Sequence, residues 1–191
     1  MEYARLGKSN LKVSRLGLGG WQFGKEPWGL TDKDVIRKII NTAIDLGINF
    51  IDTAESYGEG FSERVIGEVI RERGDRENLV IATKVSSWHL SYKDVLKACN
   101  KSLERLGFKY IDLYQVHWPN MYTPVKETMS ALERLVDEGK VRYIGLSNFP
   151  PCLIREAVAS LKKYEIISNQ VVYSIIERTI EVEILPTMRE L

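Results

Sequence analysis

Cysteine and histidine are the scarce residues of this 191-residue chain. Two cysteines, Cys99 and Cys152, exclude a disulfide-stapled scaffold and suit a reducing compartment. Two histidines, His89 and His117, leave too little to assemble a metal centre, and no metal site is expected. No His-Glu-x-x-His, Cys-x-x-Cys or Gly-x-Ser-x-Gly motif occurs. No apolar run approaches the roughly 20 residues that span a bilayer. No N-terminal stretch joins a charged start to an apolar run as a signal peptide does. An excess of one charge is also missing, because 27 basic and 26 acidic residues are well mixed for a formal net charge of +1. A nucleic-acid surface needs a clustered basic face, so that partner is excluded as well. Glutamine is limited to Gln22, Gln115 and Gln170, and charged residues reach 28%, a composition that leans towards a thermophile. The expectation is a soluble, cytoplasmic protein with neither a membrane nor a nucleic-acid partner.

What is present is alternation. With 44% hydrophobic residues the chain can bury a core, and its length fits one domain over residues 1–191. Short β-branched runs predict strands near Leu16–Gly20, Asn49–Asp52, Leu79–Lys84, Ile111–His117, Tyr143–Leu146 and Ile167–Val172. Helical spacing lies between them, near Asp32–Leu46, Ser62–Arg73, Tyr92–Leu106, Pro124–Glu138, Pro151–Lys163 and Glu181–Glu190. Thr31 or Asp32 can cap the first helix, Ser62 opens the second, and Ser91 and Gly107 bracket the third. Val35, Ile36, Ile39, Ile40, Ala43 and Ile44 form one apolar stripe on the first helix. Strand ends near 20, 52, 84, 117, 147 and 171 recur every 24 to 33 residues, which is the rhythm of parallel strands with crossover helices. Tyr3–Leu6 and Leu11–Ser14 flank the turn-like Gly7-Lys8-Ser9-Asn10 and read as a β-hairpin ahead of the first barrel strand. Six βα units are legible, whereas a closed (β/α)₈ barrel has eight and about 250 residues. The expected fold is therefore a TIM-type (β/α)₈ barrel truncated to about six βα units and incomplete at its C-terminus.

In a parallel barrel the C-terminal strand ends form the site face. Asp52, Lys84 and His117 each end a strand, and Tyr57 lies on the loop after Asp52. Adjacent strands are roughly 5 Å apart, so the four can meet. A phenol with its ordinary pKa near 10 is a weak acid, and a neighbouring ammonium is expected to lower that value. A carboxylate keeps the lysine charged and oriented, and a neutral histidine can donate to a carbonyl oxygen. Together they can protonate an alkoxide as hydride arrives at carbon. Each residue also has a plainer reading. Asp52 could cap a loop, Tyr57 anchor one, Lys84 end a strand at the surface, and His117 sit satisfied in a core. The coincidence of all four on one face favours chemistry.

Other signals are weaker. Gly17-Leu18-Gly19-Gly20-Trp21-Gln22 has Gln where a dinucleotide fingerprint needs its last glycine, so close backbone approach is the better reading. Ser147, Asn148 and Gln170 can supply hydroxyl and amide contacts to a polar ligand, or for Ser147-Asn148 turn chemistry and a helix cap. Trp21, Trp88 and Trp118 all follow strand ends and could wall a pocket. Lys84 as a Schiff-base nucleophile of a lyase is a further possibility.

The chain resembles the aldo-keto reductases. The likeness runs in register through Tyr3-Ala4-Arg5-Leu6-Gly7-Lys8-Ser9, Gly17-Leu18-Gly19-Gly20-Trp21, Phe50-Ile51-Asp52-Thr53-Ala54 with Tyr57-Gly58, Ala82-Thr83-Lys84, Asp112-Leu113-Tyr114-Gln115-Val116-His117-Trp118, Gly145-Leu146-Ser147-Asn148-Phe149 and Asn169-Gln170. It implies NADPH, in preference to NADH, reducing aldehydes and ketones as small-molecule carbonyl substrates. Tyr57 would be the general acid, Lys84 its pKa modulator, Asp52 the lysine's partner and His117 the carbonyl orienter. Gly20, Trp21, Asp52, Ser147, Asn148 and Gln170 would line the cofactor. The family's strands seven and eight, with their nicotinamide-stacking tyrosine and phosphate-gripping basic loop, have no counterpart here. The isolated chain is therefore expected to be a poor reductase, with the open barrel edges covered by a homo-oligomer or a partner chain. The alternative is a non-catalytic regulatory or binding subunit built on a degenerate reductase barrel.

Overall fold

The computed structural model describes residues 1–24 and 29–191. An antiparallel hairpin, β1 (Tyr3–Arg5) and β2 (Lys12–Ser14), precedes six strands that alternate with helices. These are β3 (Leu18–Gly19), α1 (Lys33–Asp45), β4 (Phe50–Asp52), α2 (Phe61–Arg73), β5 (Val80–Val85), α3 (Tyr92–Leu106), β6 (Ile111–Val116), α4 (Val125–Asp137), β7 (Val141–Ser147), α5 (Pro151–Ser160), β8 (Ile166–Gln170) and α6 (Ile184–Glu190). The six strands form one parallel sheet in sequence order, β3 to β8. Among the described residues no ladder joins β3 to β8.

The sheet is curled into a half-barrel. Gln170 at the end of β8 reaches across to Asp52 at the end of β4, with Nε2 3.3 Å from Oδ2. Every residue of β5 and β6 is buried, as expected where helices cover one face and the barrel interior the other. Alternation then sorts the side chains. Ile81, Val85, Tyr114 and Val116 pack with the helices, while Val80, Ala82 and Leu113 face inward. Leu11 and Val13 of the hairpin join that inner set with Ile167, so the hairpin plugs the lower end of the barrel. The inward positions above the plug are the polar ones, Lys84 and Gln115, which puts the buried chemistry at the upper end.

A β-bulge aims Gln170. Between Ile144↔Ile166 and Leu146↔Asn169, β7 advances two residues while β8 advances three. The extra residue flips the parity of β8, so Gln170 pairs with Ser147 and faces inward with it. Asn169 instead exchanges hydrogen bonds with the Phe149 backbone.

Local signals mostly act as expected. Asp32 caps α1 by accepting from the Asp34 and Val35 N–H groups, and Ser91 caps α3. Ile36, Ile40 and Ala43 are buried on α1, but Val35 lies at the margin of the stripe and is exposed. Four expectations are corrected. The first barrel strand is only Leu18–Gly19. Ser62 does not open α2, because its hydroxyl is used elsewhere, bonding to the Gly20 carbonyl and to Thr53, and Gly60 is the cap. α5 ends at Ser160 rather than Lys163, because the Lys162 and Lys163 N–H groups both donate to Glu133 Oε1 at 2.8 Å. The last helix begins at Ile184, after a separate turn over Thr179–Glu181.

Candidate active site

Lys84 is the centre of the site. It rises from the barrel interior on β5 and is 1% exposed. Its ammonium has three protons and finds three partners: Asp52 Oδ2 at 2.6 Å, the Thr53 carbonyl at 2.9 Å and Tyr57 Oη at 3.2 Å. Asp52 comes from the end of β4, and Tyr57 from the loop that leads into α2. Glu55 anchors that loop, accepting from the Ser86 N–H at 2.6 Å and lying 2.9 Å from His89 Nδ1. His117 follows β6 and stands edge-on to Tyr57, with ring centroids 5.6 Å apart. Ser56 Oγ lies 3.5 Å from His117 Nδ1. All four expected residues therefore meet.

Electrostatics departs from expectation at one point. Burial, reinforced by the Asp52 charge, pushes the Tyr57 phenol above its ordinary range in spite of the ammonium beside it. Burial also lowers Lys84 below the usual lysine value, with Asp52 opposing that shift. His117 falls below the ordinary 6.5, first through burial and then through repulsion from Lys84. It is therefore neutral at pH 7.

A cleft of about 640 Å³ opens above these groups, lined by Trp21, Ser56, Tyr57, Lys84, His117, Trp118, Ser147, Asn148 and Gln170 with Val171 and Val172. That is room for a planar ring and a small second molecule. Asn148 takes φ 62, a left-handed conformation that asparagine tolerates better than most residues. Its Nδ2 donates to the His117 carbonyl at 3.0 Å and to Ser147 Oγ at 2.9 Å. Asn148 Oδ1 and Gln170 Oε1 have no protein partner among the described residues. With the Ser147 hydroxyl they make a donor and acceptor set that could hold a carboxamide, and Trp21 offers a flat wall. The residues present thus fit a nicotinamide.

Three residues expected on the wall stand elsewhere, and one of them, Asp52, lies beneath it with its carboxylate taken by Lys84, Gln115 and Gln170. Trp88 is 83% exposed and lies outside the cleft. Gly20 sits behind the wall, its N–H donating to the Asp52 carbonyl at 2.7 Å. A Cβ on Gly20 would come within 2.5 Å of Ser62 Oγ. Thr53, Glu55, Ser56 and Gln115 were missed from the sequence. Only Gln115 carried a usable signal, since strand alternation puts it on the same face as His117. Among the described residues no cluster of potential metal ligands occurs, and no helix is long and apolar enough to cross a membrane.

The model of the aldo/keto reductase family matches residues 15–191, so the chain belongs to that family. Aldo-keto reductase YhdN of Bacillus subtilis is 36% identical over all of this chain and 59% of its own length. The NADH-specific methylglyoxal reductase of Escherichia coli is 36% identical over all of this chain and 64% of its own. The crystal structure of an aldo-keto reductase from Klebsiella pneumoniae in complex with NADPH superposes with a TM-score of 0.89 at 34% identity, covering 99% of this chain and 64% of that one. The chain spans less than two thirds of the length of each of these proteins.

Proposed function

We propose that this cleft reduces aldehydes or ketones to alcohols, with Tyr57 as the general acid. The observation that carries the reading is the direction of one hydrogen bond. Tyr57 Oη accepts from Lys84, so its own proton is left to point away from the lysine, into the cleft. The raised proton affinity keeps that proton in place at neutral pH, as a donor requires. When the proton passes to the carbonyl oxygen, negative charge appears on Oη. The Lys84 ammonium, 3.2 Å away and already oriented by Asp52 and Thr53, stabilises that charge with no reorganisation. Neutral His117 donates to the same carbonyl oxygen and orients it, with Ser56 facing its other ring nitrogen.

A nicotinamide cofactor, held by Trp21, Ser147, Asn148 and Gln170, would supply the hydride. NADPH is the first cofactor to test and NADH the second, since a relative of each kind is similar to this chain. Methylglyoxal, in the name of the Escherichia coli relative, is a suitable reactive probe. The test is aldehyde-dependent loss of NADPH or NADH absorbance by the chain. The expected result is turnover that Tyr57→Phe lowers by about 10²- to 10⁴-fold while cofactor binding, read by fluorescence, remains. Turnover that Tyr57→Phe leaves unchanged, or bound cofactor that no aldehyde oxidises, rules the reading out.

A further inference from the structure

Asp52 has a second carboxylate oxygen that the proton-transfer chain does not use. Lys84 and Gln170 both approach Oδ2. Oδ1 accepts from Gln115 Nε2 at 3.1 Å, its one protein partner among the described residues. Gln115 lies on β6, is 2% exposed, and projects into the barrel two residues before His117. A primary amide buried there costs free energy unless it is bonded, and Leu113 on the same face shows that an apolar residue fits this lining. Room has been made for it as well. Gly145 on β7 is its register partner, and a Cβ there would come within 2.9 Å of Gln115 Cγ and 2.8 Å of Ser168 Oγ. Gln115 is thus seated against bare backbone with its amide on Asp52.

We propose that Gln115 is a positioning residue: it fixes the plane of the Asp52 carboxylate, and through it the direction in which Lys84 is presented to Tyr57. The geometry requires a neutral donor at Oδ1. A cation would compete with Lys84 for the carboxylate, and an apolar side chain would leave Oδ1 unpaired and the carboxylate free to turn. With Oδ1 held, Oδ2 stays aimed at Lys84 Nζ and the third ammonium proton remains on Tyr57 Oη. The catalytic consequence rests on the reductase reading above; the positioning itself does not.

The test uses two substitutions and two readouts. Gln115→Met keeps the volume and removes the donor. Gln115→Glu puts a second carboxyl against Asp52, where two carboxylates sharing a site hold one proton well above the ordinary glutamate range. Protonated, the introduced group donates to Oδ1 as the amide does; ionised, it repels Asp52. The first readout is the ¹⁵N resonance of the Lys84 ammonium, assigned by its loss in Lys84→Met, which needs no turnover. The second is the pH dependence of carbonyl reduction.

In Gln115→Met the Lys84 resonance is expected to shift or broaden, and kcat to fall about 10- to 100-fold with KM within about a factor of two. In Gln115→Glu both readouts should match the native chain at acid pH and be lost at alkaline pH. Wild-type behaviour of Gln115→Met in the ammonium signal, or a Gln115→Glu variant without that pH-dependent rescue, overturns the inference. If Gln115→Met does not fold, the pH pattern of Gln115→Glu decides alone. If no form, the native chain included, consumes cofactor while the ammonium follows the pattern, the reductase reading fails and the positioning role stands.

Discussion

The Lys84 ammonium lies 3.2 Å from the Tyr57 hydroxyl, yet burial holds the phenol's proton affinity above its ordinary range. On the proposed reading the pair is tuned for giving a proton. In the reductive direction the rate should stay level as pH rises through neutrality and fall in the alkaline range, where Lys84, its proton affinity lowered by burial, gives up the ammonium that stabilises Tyr57 before the phenol itself ionises. Tyr57→Phe should lower the rate by about 10²- to 10⁴-fold, the usual share of a general acid. A pH–rate profile of kcat checks both. A rate still level above the ordinary lysine value of 10.5 would contradict the lowering of Lys84.

His117 links pH to stability. Its folded-state proton affinity is lowered, first by burial and then by Lys84, so the unfolded chain binds the proton more readily. The contribution is complete above the unfolded value of about 6.5 and is lost as pH falls through that value towards the lowered one. Urea unfolding at a series of pH values should show stability dropping across that window, and His117→Asn should flatten the drop. Equal slopes in the two proteins would mean that His117 titrates as it does in the unfolded chain.

Removing one partner from the Lys84–Asp52 pair should cost more than removing both. The two side chains are 1% and 13% exposed and 2.6 Å apart. Lys84→Met leaves Asp52 facing the barrel interior with two amides for company, a loss of about 3–5 kcal/mol. In Lys84→Met with Asp52→Asn, no uncompensated charge remains, and the double variant should be more stable than the sum of the single changes implies. Denaturant midpoints of the four proteins measure the coupling. Strict additivity would show that water, not Lys84, compensates Asp52.

Much of this was legible because the barrel separates its jobs by position. Strand ends fall at Asp52, Lys84 and His117, and strand ends are where a parallel barrel collects its site, so the four-residue constellation followed from spacing. What was not legible depends on third partners. Tyr57 was expected to be acidified by Lys84, an inference from a pair; burial of the phenol reverses it, and the Asp52 charge adds to the reversal. Ser62 has the composition of a helix cap, but tertiary bonds to Gly20 and Thr53 take its hydroxyl first. Gln170 was placed on the rim by its strand end, yet the bulge that turns it inward has no marker in Ile166–Gln170 itself. Gln115 has the parity of His117, but its role depends on which oxygen of Asp52 remains open.

Gly20 offers a test of how tightly the cleft wall is braced. Ser62 Oγ donates to the Gly20 carbonyl at 2.9 Å and accepts from Thr53 Oγ1 at 2.8 Å, so the first turn of α2 is pinned to the ends of β3 and β4. A methyl group at Gly20 would meet Ser62 Oγ at 2.5 Å, Ile66 Cδ1 at 3.1 Å and the Asp52 carbonyl at 3.3 Å. The first contact forces the largest movement and the other two need a few tenths of an ångström, and together they should cost about 1–3 kcal/mol as overpacking. Ser62→Ala removes the obstructing oxygen at the cost of its hydrogen bonds. Gly20→Ala in the Ser62→Ala background should therefore cost less than in the native chain, a coupling that denaturant unfolding of the four proteins resolves. If the two changes simply add, the clash lies against Ile66 and the Asp52 carbonyl and not against Ser62. Trp21, next in the chain, should report the same movement, since a displaced Gly20 carries the indole with it and changes its fluorescence.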